Sequence, residues 1–279
     1  MQAFHGSDSK DVVHRDLVRV LVQHILQYRL KIFAISGAQG SGKTTLAGAL
    51  QQALQQCGIC VGVVSLDDYY LSRRERAQLA EQVHPLLINR GVPGTHQITR
   101  LQQDVTAHLA GKPLTLPRFD KALDDVVADL PLRHYDVLII EGWCLGALPQ
   151  NAAELAVPVN ALDLLPDAAH WRQFQNNQLQ QYYQPLWSLL QPMLYLQAPD
   201  WPTVCVWRQQ QEAALWRERG VGMDKVALFK FMLPFQRWTE AMLRGELAGQ
   251  PLLLALDKNR QIVTPLPSAL SNFSAKSQN

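Results

Sequence analysis

Residues 37–44 read Gly37-Ala38-Gln39-Gly40-Ser41-Gly42-Lys43-Thr44, the spacing G-x-x-x-x-G-K-[ST], and nothing else in the chain restricts its fold so strongly. A loop of this kind works only between a strand and a helix. Its glycines let successive backbone N–H groups point at phosphate oxygens. The helix that follows adds the positive end of its dipole. Lys43 supplies a mobile charge for the β- and γ-phosphates, and Thr44 offers a hydroxyl to Mg²⁺. The flanks meet the requirement: the apolar run Ile32-Phe33-Ala34-Ile35 precedes the loop, and a helix-forming stretch from Lys43 to Gln56 follows it until Gly58. Residues Gly37 to Thr44, with Thr45 beside them, are therefore expected to bind ATP. With glycines at 37, 40 and 42, the dinucleotide fingerprint G-x-G-x-x-G is not matched.

The remaining pattern extends this strand–loop–helix unit. Apolar runs at Val61–Leu66, Val137–Ile140, Met193–Leu196 and Leu252–Leu256 read as further buried strands. Helical spacing covers residues 11–29, 163–189, 202–218 and about 224–247, where Pro234 is expected to kink or interrupt the last helix. Short apolar strands separated by helices predict an α/β fold, a five-stranded parallel sheet with helices on both faces and a helical insertion or lid. At 279 residues and 47% hydrophobic content, the chain is long enough to bury a core as one domain. The expected layout is an N-terminal helix at 11–29, a core sheet over 30–265, an insertion at about 71–135 and a disordered polar tail at 271–279.

Bulk chemistry mostly excludes. A net charge of +2 suggests neither a nucleic-acid nor a membrane partner. No apolar run approaches the roughly 20 residues of a membrane span, and the polar Met1–Lys10 segment lacks a secretory h-region. The expectation is a soluble, cytoplasmic protein. Cys57 and Cys60 have C-x-x-C spacing, but no second pair follows, so they read as small apolar residues leading into a strand. His14-Arg15-Asp16-Leu17 spells the start of a protein-kinase catalytic loop, yet it precedes the phosphate loop and has no D-F-G partner. It reads as a charged helix face.

Phosphate loops serve switches, motors and kinases. No Asp has Gly three residues on, and no Asn-Lys pair exists, which sets aside a guanine-nucleotide switch. A kinase needs a carboxylate beside the γ-phosphate and the acceptor hydroxyl. Asp67 and Asp68 follow the second strand and Glu141 ends the third, so all three are placed where parallel sheets gather ligands. A helix cap or turn is the alternative reading of the paired Asp.

Four segments now carry a resemblance: Ser65-Leu66-Asp67-Asp68-Tyr69-Tyr70-Leu71, Asn89 through His96, Pro117-Arg118-Phe119-Asp120-Lys121, and Glu141-Gly142-Trp143-Cys144-Leu145-Gly146. Together they resemble the plant-type D-glycerate 3-kinases, a family similar to uridine kinase, phosphoribulokinase and bacterial pantothenate kinase. The resemblance covers roughly residues 30–265. It implies that Asp67 faces the acceptor hydroxyl, and that Glu141 and Thr44 hold Mg²⁺. It also implies that Asp68, Tyr70, Arg90, His96, Arg118, Asp120 and Lys121 line the acceptor side. Residues 207–220 would be a lid whose Arg208 and Arg217, with Lys43, stabilise the transferring phosphoryl group; a solvated helix face is the alternative for both arginines. The chain departs from the family at Gln97, where Asp usually follows the Gly-Thr-His triplet, and over Ala122–Val126, where a glycine- and arginine-bearing run is usual. The expected activity is transfer of the ATP γ-phosphate to a small hydroxylated metabolite, D-glycerate first. A nucleoside, pantothenate or a sugar phosphate remains open as acceptor, as does a non-metabolic ATP-binding module.

Overall fold

The computed structural model describes residues 8–220 and 222–263; the polar tail expected at 271–279 lies outside them. In chain order the strands are β1 (Ile32–Gly37), β2 (Val61–Ser65), β3 (Arg118–Asp120), β4 (Asp125–Val127), β5 (Val137–Gly142), β6 (Met193–Gln197) and β7 (Leu252–Ala255). The helices are α1 (Asp8–Gln27), α2 (Lys43–Gln56), α3 (Arg73–Gln82), α4 (Ile98–Leu109), α5 (Ala152–Ala156), α6 (Ala168–Gln178), α7 (Gln184–Leu189), α8 (Trp201–Arg219) and α9 (Lys225–Leu243).

Five strands make one parallel sheet in the order β2-β5-β1-β6-β7. Successive side chains of a strand face opposite ways, so a strand covered on both sides must be apolar throughout. In β1, Phe33 and Ile35 join a core with Leu21 of α1, Leu50 of α2 and Val204 of α8. Ile32 and Ala34 join the opposite core with Leu101 of α4, Trp187 of α7 and Trp238 of α9. The register then fixes the site. Ser65, Glu141 and Ile35 lie opposite one another on adjacent strands β2, β5 and β1. All three strands leave the sheet at one edge, the carboxyl edge where open parallel sheets bind ligands.

Three expectations change. Pro234 does not interrupt α9, which runs from Lys225 to Leu243. Met232, Phe235, Trp238 and Met242, on both sides of the proline, are buried and hold the two halves against the core. The stretch read as helical over 163–189 starts at Ala168 and then runs unbroken through α6, a π turn at Leu179–Tyr183, and α7. Within the segment 71–135, β3 and β4 form an antiparallel hairpin that helical reading did not anticipate. Three residues per strand give too short a pattern to show a period of two. No helix among the described residues is long and apolar enough to cross a membrane.

Candidate active site

The phosphate loop joins β1 to α2. Gly42 is the N-cap of α2 at φ 95°, a left-handed conformation unfavourable for any side chain, and no side chain caps the helix. Its first-turn N–H groups are therefore unclaimed by side chains, which is the chemistry of an anion site. Ser41 Oγ and Gln39 Oε1 are buried in the loop without a hydrogen-bond partner. Lys43 Nζ donates to the Ala38 carbonyl at 3.0 Å. Burial lowers the Lys43 pKa, and the charges of Glu141 and Asp67 oppose that shift. These features fit a polyphosphate.

A support that sequence reading missed lies behind the loop. A side chain at Gly40 would bring its Cβ within 2.6 Å of Trp207 Cβ. The buried Trp207 donates from Nε1 to the Lys258 carbonyl at 2.9 Å and carries the Arg260 guanidinium 4.9 Å above its ring. Arg260 Nε in turn donates to the Gly40 carbonyl at 2.5 Å. The segment Asp257–Arg260 reads as an ordinary turn, and no local signal connects it with a loop so far away in sequence.

Beside the loop, Thr44 Oγ1 donates to Glu141 Oε1 at 2.8 Å. A hydroxyl and a carboxylate are the hard oxygen ligands Mg²⁺ prefers. Among the described residues no group of three or more His, Cys, Asp and Glu side chains is placed to hold a metal alone. Mg²⁺ bound here would take its remaining ligands from phosphate and water, its usual habit at phosphoryl-transfer sites.

The short 3₁₀ turn after β2 (Leu66–Tyr69) separates the two aspartates. Ser65 Oγ accepts from the Asp67 N–H, and Asp68 Oδ2 accepts from the Ser65 N–H at 2.9 Å. Asp68 is thus a capping residue, as its Ser65-x-x-Asp68 spacing allows, and burial raises its pKa. Asp67 turns into the cleft. Tyr70 Oη donates to Asp67 Oδ1 at 2.6 Å, and Lys121 Nζ to Oδ2 at 2.6 Å. Burial pushes the Asp67 pKa up, but the Lys121 charge and the hydrogen bonds of Lys121 and Tyr70 overcome this and hold it below the usual carboxylate range.

These side chains line one cleft of ≈ 500 Å³ between the carboxyl edge of the sheet and the α8–α9 pair. Of the sequence-predicted residues, Gln39, Gly40, Lys43, Thr44, Asp67, Tyr70, Arg90, Lys121, Glu141 and Arg208 line it. Arg208 pairs with Glu212 at 2.8 Å and lies 5.5 Å over the Phe231 ring. Arg90 pairs with Asp124 and stands 5.4 Å over the Phe119 ring. Trp143, whose Nε1 donates to the Gly91 carbonyl at 2.8 Å, and Phe235 were not singled out from sequence but also line the cleft. Arg76, also missed, is fully buried beneath it. It holds the carbonyls of Leu71, Ile88 and Asp124 together and so builds the acceptor-side loops around one guanidinium.

Other predicted residues stay out of the cleft. Arg118 is exposed, because the inward position of β3 belongs to Phe119. Asp120 accepts from the N–H groups of Ala122 and Leu123, closing the hairpin turn. His96 is buried behind Tyr70, stacked on it at 4.9 Å and bonded through Nδ1 to Tyr183 Oη at 2.7 Å. Burial lowers the His96 pKa to about 4. Arg217 is exposed and donates to the Ala213 carbonyl of its own helix at 3.3 Å.

No protein-family profile matches the chain. An uncharacterized kinase of Schizosaccharomyces pombe, mug58, is 29% identical over 77% of this chain and 85% of its own length. The chloroplastic D-glycerate 3-kinase of Arabidopsis thaliana is 26% identical over 69% of this chain and 43% of its own length. Among solved structures, a D-glycerate 3-kinase from Cryptococcus neoformans superposes with a TM-score of 0.75 at 24% identity, over 90% of this chain and 97% of that one. The chain is an ATP-dependent P-loop kinase. Its relatives include D-glycerate 3-kinase, as the four quoted segments led us to expect. ATP and Mg²⁺ are the cofactors such kinases use, and the phosphate loop and the Thr44–Glu141 pair of this kinase are suited to both.

Proposed function

We propose that the kinase phosphorylates a primary hydroxyl of a small hydroxy acid, with D-glycerate as the first candidate. The observation that carries this reading is Asp67, held at the mouth of the phosphate loop by Lys121 and Tyr70. Two cations line the cleft, Arg90 beside Asp124 and Lys121 beside Asp67, and their N–H groups beyond those pairs suit an acid better than a neutral nucleoside. Arabidopsis D-glycerate 3-kinase, a relative by sequence, supports the same class.

In this reading the acceptor hydroxyl hydrogen-bonds to Asp67, which orients it and receives its proton. The hydroxyl oxygen bonds the γ-phosphorus while the bond from that phosphorus to the bridging oxygen of ADP breaks. Lys43 and the loop N–H groups hold the phosphate oxygens, and Arg208 approaches the transferring group from α8. Thr44 and Glu141 hold Mg²⁺, which when bound neutralises charge on the phosphates. The depressed Asp67 pKa makes it a weak base. That suffices for a loose transition state, in which little proton transfer is needed before the phosphoryl group moves.

Two measurements test the reading. ADP release in the presence of D-glycerate should yield phosphoglycerate stoichiometrically. Asp67→Asn should lower kcat by roughly 10²–10⁴-fold while leaving the affinity for a non-hydrolysable ATP analogue unchanged. Retained transfer in that variant would overturn the role given to Asp67.

A further inference from the structure

We propose that an apolar chamber beside the transfer cleft takes a substituent of the acceptor, which makes the acceptor a hydroxy acid bulkier and more apolar than D-glycerate. The inference rests on the hydroxy-acid reading above and, within it, displaces D-glycerate as the first candidate.

The chamber measures ≈ 440 Å³ and lies between the loop before α4 and the start of α9. It shares Arg90, Phe231 and Phe235 with the cleft, so the two spaces meet along one wall. That wall is aromatic on both faces. Phe235 packs edge-on to Trp143 at 5.2 Å and lies 5.3 Å from Phe231. Beyond it the lining is Leu86, Val92, Leu162, Trp171, Leu233 and Pro234 with few polar groups; Arg90 and Lys230 are its charged residues.

Position decides what this space is for. Arg90 stands at the junction, and Asp67 and Lys121 lie on the cleft side of it. An acid whose hydroxyl meets Asp67 and whose carboxylate meets Arg90 straddles the wall, and its next substituent is directed along Phe231 and Phe235. D-glycerate carries a hydroxyl there. A hydroxyl set against leucine, valine and tryptophan gives up water with only Asn89, Arg90 and Lys230 among the lining side chains to replace it. An alkyl or aryl group gains free energy in proportion to the apolar area it buries, about 25 cal/mol per Å². A three-carbon acid also leaves most of the chamber unfilled, whereas volumes of about 300–1,000 Å³ suit considerably larger ligands.

The test uses acids identical except at C2: 3-hydroxypropanoate, D-glycerate, 3-hydroxy-2,2-dimethylpropanoate and 3-hydroxy-2-phenylpropanoate. With the full chain, ATP and Mg²⁺, kcat/KM should rise along the apolar members, the phenyl acid exceeding the unsubstituted one by roughly tenfold or more. Ala227 lines the chamber and not the cleft. Ala227→Trp, checked for folding by its affinity for an ATP analogue, should cut the phenyl-to-unsubstituted ratio at least tenfold. A flat or falling series with D-glycerate phosphorylated would overturn the chamber and leave the hydroxy-acid reading standing. If no member accepts phosphate, the hydroxy-acid reading fails. Calorimetry of the two extreme acids with an ATP analogue then judges the chamber separately: equal affinities sink it, and a preference for the phenyl acid that Ala227→Trp abolishes supports it.

Discussion

Lys121 Nζ and Asp67 Oδ2 are 2.6 Å apart, although Lys121 lies in the hairpin loop and Asp67 at the end of β2. The pair sets the electrostatics of the acceptor side. The Lys121 side chain is 61% exposed and that of Asp67 26%, so the lysine meets solvent while the carboxylate it pairs with is partly enclosed. It joins the hairpin to the sheet edge at the point where transfer would occur.

Removing that cation should shift the acid limb of the pH–rate profile. Lys121 is a main cause of the depressed Asp67 pKa. A group that must be ionised to orient the acceptor loses function as pH falls through its pKa. Lys121→Met should therefore move the acid limb of kcat/KM to higher pH, and full titration of activity from pH 4 to 9 would show it. An unmoved limb would mean that Asp67 is not the titrating group.

Glu141→Gln should act on the metal. The amide keeps the size of the side chain and an acceptor oxygen for Thr44 but discards the charge. The Mg²⁺ concentration for half-maximal activity should rise roughly tenfold or more, in line with lost outer contacts in other metal sites. Binding of metal-free nucleotide should hold or improve, because a negative charge beside the phosphates is gone.

His96 should give a signature in stability instead of rate. Its folded pKa, about 4, lies below the ordinary His value of 6.5. Below pH 6.5 the unfolded chain binds a proton that the folded one refuses, so stability falls with acid until pH 4. Across that window the contribution is on the order of 3 kcal/mol. His96→Gln should flatten this part of the stability–pH curve relative to wild type, measured by denaturant unfolding. Taking the difference cancels the other buried histidines, among them His24, His84 and His108.

Arg260→Ala should weaken ATP binding several-fold without touching the acceptor side. The variant loses the hydrogen bond to the Gly40 carbonyl and the stacking on Trp207. Interactions of these two kinds contribute about 0.5–3 kcal/mol each. Isothermal titration with an ATP analogue is the direct measurement, and an unchanged Kd would reduce Arg260 to a surface contact.

What could be read from sequence followed from how local its cause was. The phosphate loop, α2 and β1 were legible because their glycines, lysine and apolar run are contiguous. The placing of Asp67 and Glu141 at one cleft was legible because a parallel sheet delivers strand ends to one edge. Asp68 and Asp120 cap a turn and close the hairpin without lining the cleft, which sequence did not reveal because a capping carboxylate and a cleft-facing one look alike there. Arg118 stands outside the cleft by a single step of strand alternation, with Phe119 taking the inward place. Arg76 and Arg260 were invisible because most of their hydrogen bonds go to carbonyl oxygens, which every residue possesses, and their other partners, Asp124 and Trp207, are distant in sequence.

The Arg260–Gly40 contact joins residues 220 positions apart. A chain emerging from the ribosome at about 5–20 residues per second presents its phosphate loop well before Arg260. Competence to grip nucleotide firmly therefore waits until β7 has docked on β6 and carried Arg260 to the loop. Truncation before residue 257 should leave a chain that carries the whole G-x-x-x-x-G-K-T signature and still handles ATP poorly.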